Sequence, residues 1–261
     1  MVCSPTTKRG RMEIFLAIVA ALVLACLALL AYCAHKIRRV HLQTFAILDR
    51  TVREGDTLFA QLQALMALER RLGLAQPLPA TRGWVGSPDF LLMLADHIAD
   101  CKPQVVLECS SGVSTLVIAR SLQQAGVGHV FSLEHAAEYA EKTRALLRTH
   151  GLSSWATVID APLVAAAGAQ PWYDISRLPP EVQAVELLAV DGPPGYSVQQ
   201  ARYPALPMLL PRLAPRCTIL LDDADRPDEQ AIVRRWLQAY PEFQHRHLPF
   251  DKGLAVLTRG G

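Results

Sequence analysis

The sequence lacks any CxxC pair of cysteines, and it has no block of like charges outside one short region. Its six cysteines are scattered, and two of them, Cys26 and Cys33, fall inside an apolar run. This pattern excludes a sequence-evident zinc site and indicates a reducing compartment. The formal net charge is only +2. A balance this close to neutrality gives no reason to expect a nucleic-acid partner.

One long apolar run is present instead. Residues 14–34 carry no charged side chain over 21 positions, which is long enough to cross a hydrocarbon core of about 30 Å. A cleaved signal peptide has a shorter apolar segment, of about 7–15 residues. The sequence therefore predicts a transmembrane helix at 14–34.

The orientation of that helix is indicated by the basic residues around it. Three precede the run, three follow it and two lie further on: Lys8, Arg9, Arg11, Lys36, Arg38, Arg39, Arg50 and Arg53. Cytoplasmic flanks carry an excess of Lys and Arg. The slight excess after the run favours a single pass through the cell (inner) membrane, with the C-terminal part in the cytoplasm.

Residues 36–75 show a partial heptad repeat, with apolar or threonine side chains seven positions apart. The pattern predicts a helical stalk. Two arrangements fit it: a parallel homodimer through the stalk, or a single amphipathic helix lying on the following domain. Pro77 and Pro79 then interrupt the helix, so we place the start of the next domain at residue 80 and extend it to 261.

From Ser87 onward, short apolar runs alternate with helical patterns. We predict strands at 104–108, 129–134, 156–160, 186–191, 217–222, 243–248 and 254–258, and helices at 87–100, 113–125, 136–149, 198–212 and 228–240. Repeated strand–helix units predict an α/β domain with a parallel sheet covered by helices on both faces. Only five residues join the last two strands, too few for a parallel crossover. The sheet is therefore expected to end in an antiparallel hairpin.

The most informative segment is VVLECSSGVST, at 105–115. A buried strand ends in an acid, and Ser110, Ser111 and Gly112 then form a turn of small residues before a helix. Such a turn lets a ligand approach the backbone, and the helix points its free N–H groups at it. A simple strand-to-helix turn is the alternative reading.

Acidic residues follow the strands with regularity. Five consecutive strands end in Glu108, Glu134, Asp160, Asp191 and the pair Asp222 and Asp223. Ligands of open parallel sheets bind beyond the carboxyl ends of the strands, so this series predicts a polar ligand along one edge. Glu134 is placed to accept both hydroxyls of a ribose. Its alternative role is to cap the helix that begins near Ala136.

Four motifs, VVLECSSGVST, FSLEH (131–135), LLAVDGPPG (187–195) and ILLDDAD (219–225), precede the closing hairpin. Over 87–259 they resemble the successive motifs of class I S-adenosylmethionine-dependent methyltransferases, in particular the catechol O-methyltransferase-like and family 24 branches. The resemblance implies a Rossmann-like seven-stranded fold and S-adenosylmethionine as the cofactor. It further implies that Glu108, Ser110, Ser111, Gly112 and Ser114 hold the methionine part of the cofactor, that Glu134 binds its ribose, and that Asp160 and Ala161 lie beside its adenine.

The same resemblance bears on catalysis. Asp191, Asp222 and Asp223 match the positions at which metal-dependent members bind a divalent cation such as Mg²⁺, and Asp191 is the candidate catalytic residue. Three neighbouring carboxylates repel one another unless a cation or a hydrogen-bond network neutralises them. The alternative is that Asp191 binds the ammonium group of the cofactor while Asp222 and Asp223 cap the next helix. The lysine common in these enzymes is replaced by the turn 192–195, so no general base is assigned.

We therefore expect a membrane-anchored methyltransferase that acts on the oxygen of a small-molecule or membrane-associated acceptor. Trp84, Trp172 and Tyr173 are candidates for the acceptor pocket or for core packing. Ser110 and Ser114 stand where the family usually has glycine, which leaves open a scaffold protein that keeps the fold without turnover. A nicotinamide-dependent oxidoreductase is disfavoured by the terminal hairpin and by the lack of a GxGxxG motif.

Overall fold

The structure, a computed structural model, describes residues 5–81, 83, 85–165, 170–195 and 198–260. The chain divides into two compact units, Met1–Leu58 and Phe59–Gly261. Helix α1, Pro5–Leu72, supplies all of the first unit that is described and the beginning of the second.

The first unit consists of a helix with no covering layer. Every described side chain from residue 9 to residue 58 is exposed, including the apolar ones of 14–34. By length and composition this helix is able to cross a membrane, a criterion that a signal sequence near the N-terminus also meets. Helix α1 ends at Leu72 and Gly73 follows with a positive φ of 52°, so the helix stops three residues before the predicted end of the stalk.

The second unit is built on a seven-stranded sheet. Its helices are α2 (Pro88–Cys101), α3 (Val113–Ala125), α4 (Ala137–Thr149), α5 (Ala205–Leu209) and α6 (Pro227–Ala239). Its sheet strands are β1 (Val105–Cys109), β2 (His129–Glu134), β3 (Ala156–Asp160), β6 (Val185–Val190), β7 (Leu213–Asp222), β8 (Gln244–Leu248) and β9 (Leu254–Arg259). A separate antiparallel pair, β4 (Leu163–Val164) and β5 (Trp172–Tyr173), was not predicted from the sequence.

The strand order is β3-β2-β1-β6-β7-β9-β8. Strands β1, β2, β3, β6 and β7 pair in parallel, whereas β9 runs antiparallel to both of its neighbours. The predicted parallel sheet with a reversed terminal hairpin is thereby confirmed. Because β1 and β6 are adjacent while their connections lead in opposite directions, the order reverses between them, and ligands of open sheets bind at such a point.

Two apolar clusters lie on opposite faces of the sheet, as alternation along the strands requires. On one face Leu107 and Leu188 pack in the same cluster as Trp236 of α6. On the other face Val106 packs in a cluster with Leu94 of α2. The predicted cover of helices on both faces is therefore confirmed. At the end of the sheet, β8 is an edge strand with four exposed residues.

The predicted helix at 198–212 is wrong. Turns occupy residues 198–204, and only the short helix α5 and a 3₁₀ turn at Leu210–Arg212 follow. Pro204, Pro207 and Pro211 lack the backbone N–H that a continuous helix needs, and the ring of each crowds the preceding turn. The apolar spacing in this segment reflects burial of Leu206 and Leu209 rather than a long helix.

Candidate active site

A cavity of about 490 Å³ opens at the carboxyl ends of β1, β2 and β6, within the range of about 300–1,000 Å³ typical of small-molecule sites. Seven of the residues predicted from the sequence line it: Ser110, Ser111, Gly112, Ser114, Glu134, Asp191 and Asp223. Four others do not, namely Glu108, Asp160, Ala161 and Asp222. The sheet thus brings the turn after β1 and the acids after β2 and β6 to one cavity.

Buried hydrogen bonds fix the turn after β1. The Gly112 N–H donates to Thr115 Oγ1 at 3.0 Å, and that hydroxyl donates to Glu108 Oε2 at 2.6 Å. Ser132 Oγ donates to the same carboxylate oxygen at 2.5 Å. Burial raises the pKa of Glu108, and hydrogen bonds from neighbouring hydroxyls oppose this shift. Glu108 therefore supports the turn from below the cavity.

Ser110 adopts a φ of 138°, a backbone conformation that favours glycine. We predict that Ser110→Gly stabilises the second unit by about 1 kcal/mol, because it removes the crowding by Cβ at some cost in chain entropy. The measurement is chemical unfolding of the full-length chain in detergent, followed by tryptophan fluorescence. All four tryptophans follow residue 80, so the signal reports on this unit.

The control for this prediction is Ser111→Gly. Ser111 does not have a positive φ, and its hydroxyl donates to Glu134 Oε2 at 2.9 Å. We expect this variant to be less stable than the wild type. A Ser110→Gly protein that is no more stable than the wild type would show that the backbone at Ser110 carries no strain.

Glu134 ends β2, and both oxygens of its carboxylate have polar partners. Its Oε2 accepts the bond from Ser111, while its Oε1 accepts a hydrogen bond of 3.0 Å from the Ala136 N–H and lies 3.0 Å from His135 Nδ1. Burial alone would raise the pKa of Glu134, but the hydrogen bonds from His135, Ala136 and Ser111 lower it below its ordinary value. The cavity therefore contains an ionised carboxylate next to the small-residue turn.

Arg202 lies at the centre of the acids that follow β6 and β7. Its Nη2 donates to Asp223 Oδ2 at 2.8 Å and lies 3.3 Å from Asp191 Oδ1, and its Nη1 lies 3.7 Å from Glu229 Oε1. The same guanidinium donates to the main-chain oxygens of Asp191 and Asp222, each at 3.0 Å. Its side chain is only 4% exposed.

Burial sets the charge state of this cluster. It raises the pKa of Asp191 to about 6, against the effect of Arg202. Burial, together with the charges of Asp191 and Asp223, holds the pKa of Asp222 well above its ordinary value. Burial alone would lower the pKa of Arg202, but the surrounding carboxylates raise it. The guanidinium therefore stays charged, while Asp222 favours its protonated form.

Comparison with known proteins agrees with this topology and cavity. Residues 107–224 match the family model described as a methyltransferase domain. Residues 107–224 therefore carry a methyltransferase domain, built on the sheet described above. The resemblance stated from the sequence motifs is thereby confirmed, and no curated protein sequence matches the chain.

Solved structures share the fold of this methyltransferase domain at low sequence identity. A methyltransferase from Geobacter sulfurreducens is 15% identical, with a TM-score of 0.52 over 80% of this chain and 96% of its own. An O-methyltransferase from Bacillus cereus in complex with SAH is 19% identical, with a TM-score of 0.53 over 78% of this chain and 91% of its own. An O-methyltransferase from Streptomyces achromogenes, involved in tomaymycin synthesis and in complex with SAM, is 17% identical, with a TM-score of 0.51 over 77% and 90%.

Asp160 and Ala161 do not line the methyltransferase cavity. The Asp160 carboxylate is half exposed and pairs with Arg144 at 2.9 Å. Ala161 is fully buried, and its N–H donates to the main-chain oxygen of Glu134 at 2.7 Å. This bond continues the pairing of β2 with β3, so the backbone of Ala161 helps to fix the position of Glu134.

The three predicted metal ligands come together, with one oxygen from each of Asp191, Asp222 and Asp223 within 4.8 Å of the others. However, Mg²⁺ bonds oxygen at about 2.0–2.1 Å, so an ion on Asp223 Oδ2 would lie within about 5 Å of Arg202 Nη2. Two like charges would then share a buried site. Asp222 Oδ2 and Asp223 Oδ1 are buried without a hydrogen-bond partner in the described chain, whereas Asp191 Oδ1 and Asp223 Oδ2 contact the guanidinium of Arg202. The position that these three acids offer to a divalent cation is thus shared with the guanidinium of Arg202.

The sequence analysis missed several residues of the cavity. Arg202, His135 and Lys252 all line it, as does Tyr173, which was already a candidate for the acceptor pocket or for core packing. Arg202 was detectable only as one of two arginines, with Arg212, in the largely apolar segment 198–212, for which the sequence predicts a helix. Trp172 is buried in the core beside Tyr173, whereas Trp84 lies outside the described residues.

Proposed function

We propose that this protein uses S-adenosylmethionine to methylate an oxygen atom of a small-molecule or membrane-associated acceptor. The observation that carries this proposal is the ionised carboxylate of Glu134, hydrogen-bonded to Ser111 in a cavity that Asp191 also lines. When bound, S-adenosylmethionine supplies a methyl group activated by its sulfonium.

The residues of the cavity have separate roles in this proposal. Glu134 accepts hydrogen bonds from the ribose hydroxyls, which are the donors that its ionised oxygens match. The free N–H groups at the start of α3 face the carboxylate of the cofactor. Asp191 pairs with the ammonium group. Its assignment as a catalytic residue stays a prediction.

The test is an equilibrium titration of the full-length chain in detergent with S-adenosylmethionine. We expect Glu134→Gln to weaken binding by about tenfold, because an amide keeps one acceptor but loses the charge. Glu242→Gln, at an exposed position after α6, is the matched control and should bind like the wild type. A folded wild type that fails to bind, or that binds NAD more tightly, would refute the proposal.

A scaffold protein without turnover is the second candidate. The observation that favours it is Ser110, whose φ of 138° is one that a serine rarely adopts. Incubation of membrane extracts with radiolabelled S-adenosylmethionine separates the two. Label that enters an acceptor with the wild type and not with Glu134→Gln supports the enzyme, whereas binding without transfer supports the scaffold.

We further propose that residues 14–34 anchor the protein by a single pass in the cell membrane, with the methyltransferase domain in the cytoplasm. The exposed apolar surface of this segment supports it, because nothing in the described chain covers that surface. Sedimentation with membranes after carbonate washing tests the anchoring. Protection of the domain from protease in intact cells tests its cytoplasmic location. The parallel dimer through residues 36–75 stays a prediction.

A further inference from the structure

We propose that the guanidinium of Arg202 is the resident cation of the acidic cluster, so that methyl transfer in this protein needs no divalent metal. This inference rests on the proposed function and concerns the same site. Arg202 is a positioning residue in this view, because it acts through the carboxylates and strand ends that surround it.

The first argument is the position of Arg202. It extends from the turns before α5 and donates one hydrogen bond to the main-chain oxygen of Asp191 and another to that of Asp222, each at 3.0 Å. These residues follow β6 and end β7, two neighbouring strands of the sheet. One side chain thereby joins the two strand ends that would supply the ligands of a metal.

The second argument is charge. Four carboxylates surround the guanidinium: Asp191, Asp222, Asp223 and Glu229. Arg226 Nη1 adds a second cation at 2.9 Å from Asp223 Oδ2, on the more exposed side of the cluster. A bound metal would serve to neutralise such a group of acids. Two arginines already offset half of these charges here, and one of them is almost fully buried.

The third argument is the direction in which Arg202 acts. Arg202 lines the cavity together with Asp191 and Asp223, and its permanent positive charge acts through these two carboxylates, which it holds in place. In the transfer, the oxygen forms a bond to the methyl carbon while the carbon–sulfur bond breaks. The electron pair of that bond stays on sulfur, and the acceptor proton passes to solvent.

The experiment uses the full-length chain in detergent, treated with EDTA and desalted. Mn²⁺ is added, and its free concentration is followed by electron paramagnetic resonance, while binding of S-adenosylhomocysteine is measured with and without EDTA. We expect no stoichiometric Mn²⁺ site in the wild type and no effect of EDTA on binding. One Mn²⁺ per chain that is lost in Asp223→Asn would overturn the inference, whatever the fate of any other variant.

A second measurement tests the substitution directly. Arg202→Met removes the cation but keeps a side chain of similar length, and we expect it to gain a stoichiometric Mn²⁺ site that Asp223→Asn then removes. Arg234→Met, an exposed position on α6, should gain none. A folded Arg202→Met protein without Mn²⁺ binding counts against the inference. Failure of the proposed function is distinguishable, because it would appear as absent S-adenosylhomocysteine binding with or without metal.

Discussion

Replacing Arg202 with methionine is expected to lower the unfolding free energy of the methyltransferase domain by about 3–5 kcal/mol, the range for breaking a buried ion pair by removal of one partner. The loss is large because the substitution leaves the buried Asp191 without this partner and leaves Asp223 with only the half-exposed Arg226. It also removes the hydrogen bonds that join the ends of β6 and β7. Chemical unfolding followed by tryptophan fluorescence measures this loss of unfolding free energy.

The matched control is Arg234→Met, for which we expect a change within about 0.5 kcal/mol, as for other surface substitutions. Acid should reduce the effect of Arg202→Met. Burial raises the pKa of Asp191 to about 6 even with Arg202 present, so protonation below that pH removes an unpaired charge. Equal losses for the two variants, or a loss that grows as the pH falls, would contradict an electrostatic origin.

The second large effect concerns Asp191→Asn. We expect it to weaken binding of S-adenosylmethionine by about 100-fold, because truncating one partner of a buried charge pair costs about 2–5 kcal/mol. Asp191 lines the cavity and its side chain is 14% exposed. It is therefore buried enough to act strongly and open enough to meet the ammonium group. Isothermal titration calorimetry on the full-length chain measures the change.

The pH dependence of wild-type binding gives a second readout for Asp191. Because its pKa is raised to about 6, chiefly by burial, the carboxylate is ionised above that pH and protonated below it. Affinity for the ammonium group should therefore be constant above pH 6 and fall about tenfold per pH unit below it. Asp191→Asn should lose this dependence. Asp100→Asn, an exposed control at the end of α2, should retain both the affinity and the pH profile of the wild type.

The strands were predictable because local pattern and tertiary environment agree along them. Runs such as 105–109 and 185–190 are apolar at nearly every position, as strands buried on both faces must be. The reversed hairpin followed from the length of the connection between the last two strands, since five residues are too few for a parallel crossover. Acids after successive strands, such as Glu134 and Asp191, could be assigned to one edge for the same reason.

Arg202 could not be placed in the same way. Its contacts with Asp222 and Asp223 join residues about twenty positions apart, and they depend on turns at 198–204 that replace the predicted helix. Helical spacing of apolar residues outweighed the three prolines in our interpretation of this segment. The pair β4 and β5 was missed because two-residue strands carry no periodicity.

Strand β8 has a consequence for the behaviour of the protein at high concentration. Its outer backbone groups form the open edge of the sheet, and open edges invite pairing between molecules. A self-complementary antiparallel pair centred on this five-residue strand would place Arg246 opposite the Arg246 of a second copy, and like charges directly opposed are unfavourable. The edge thus carries its own barrier to fibril-like association between copies of the protein.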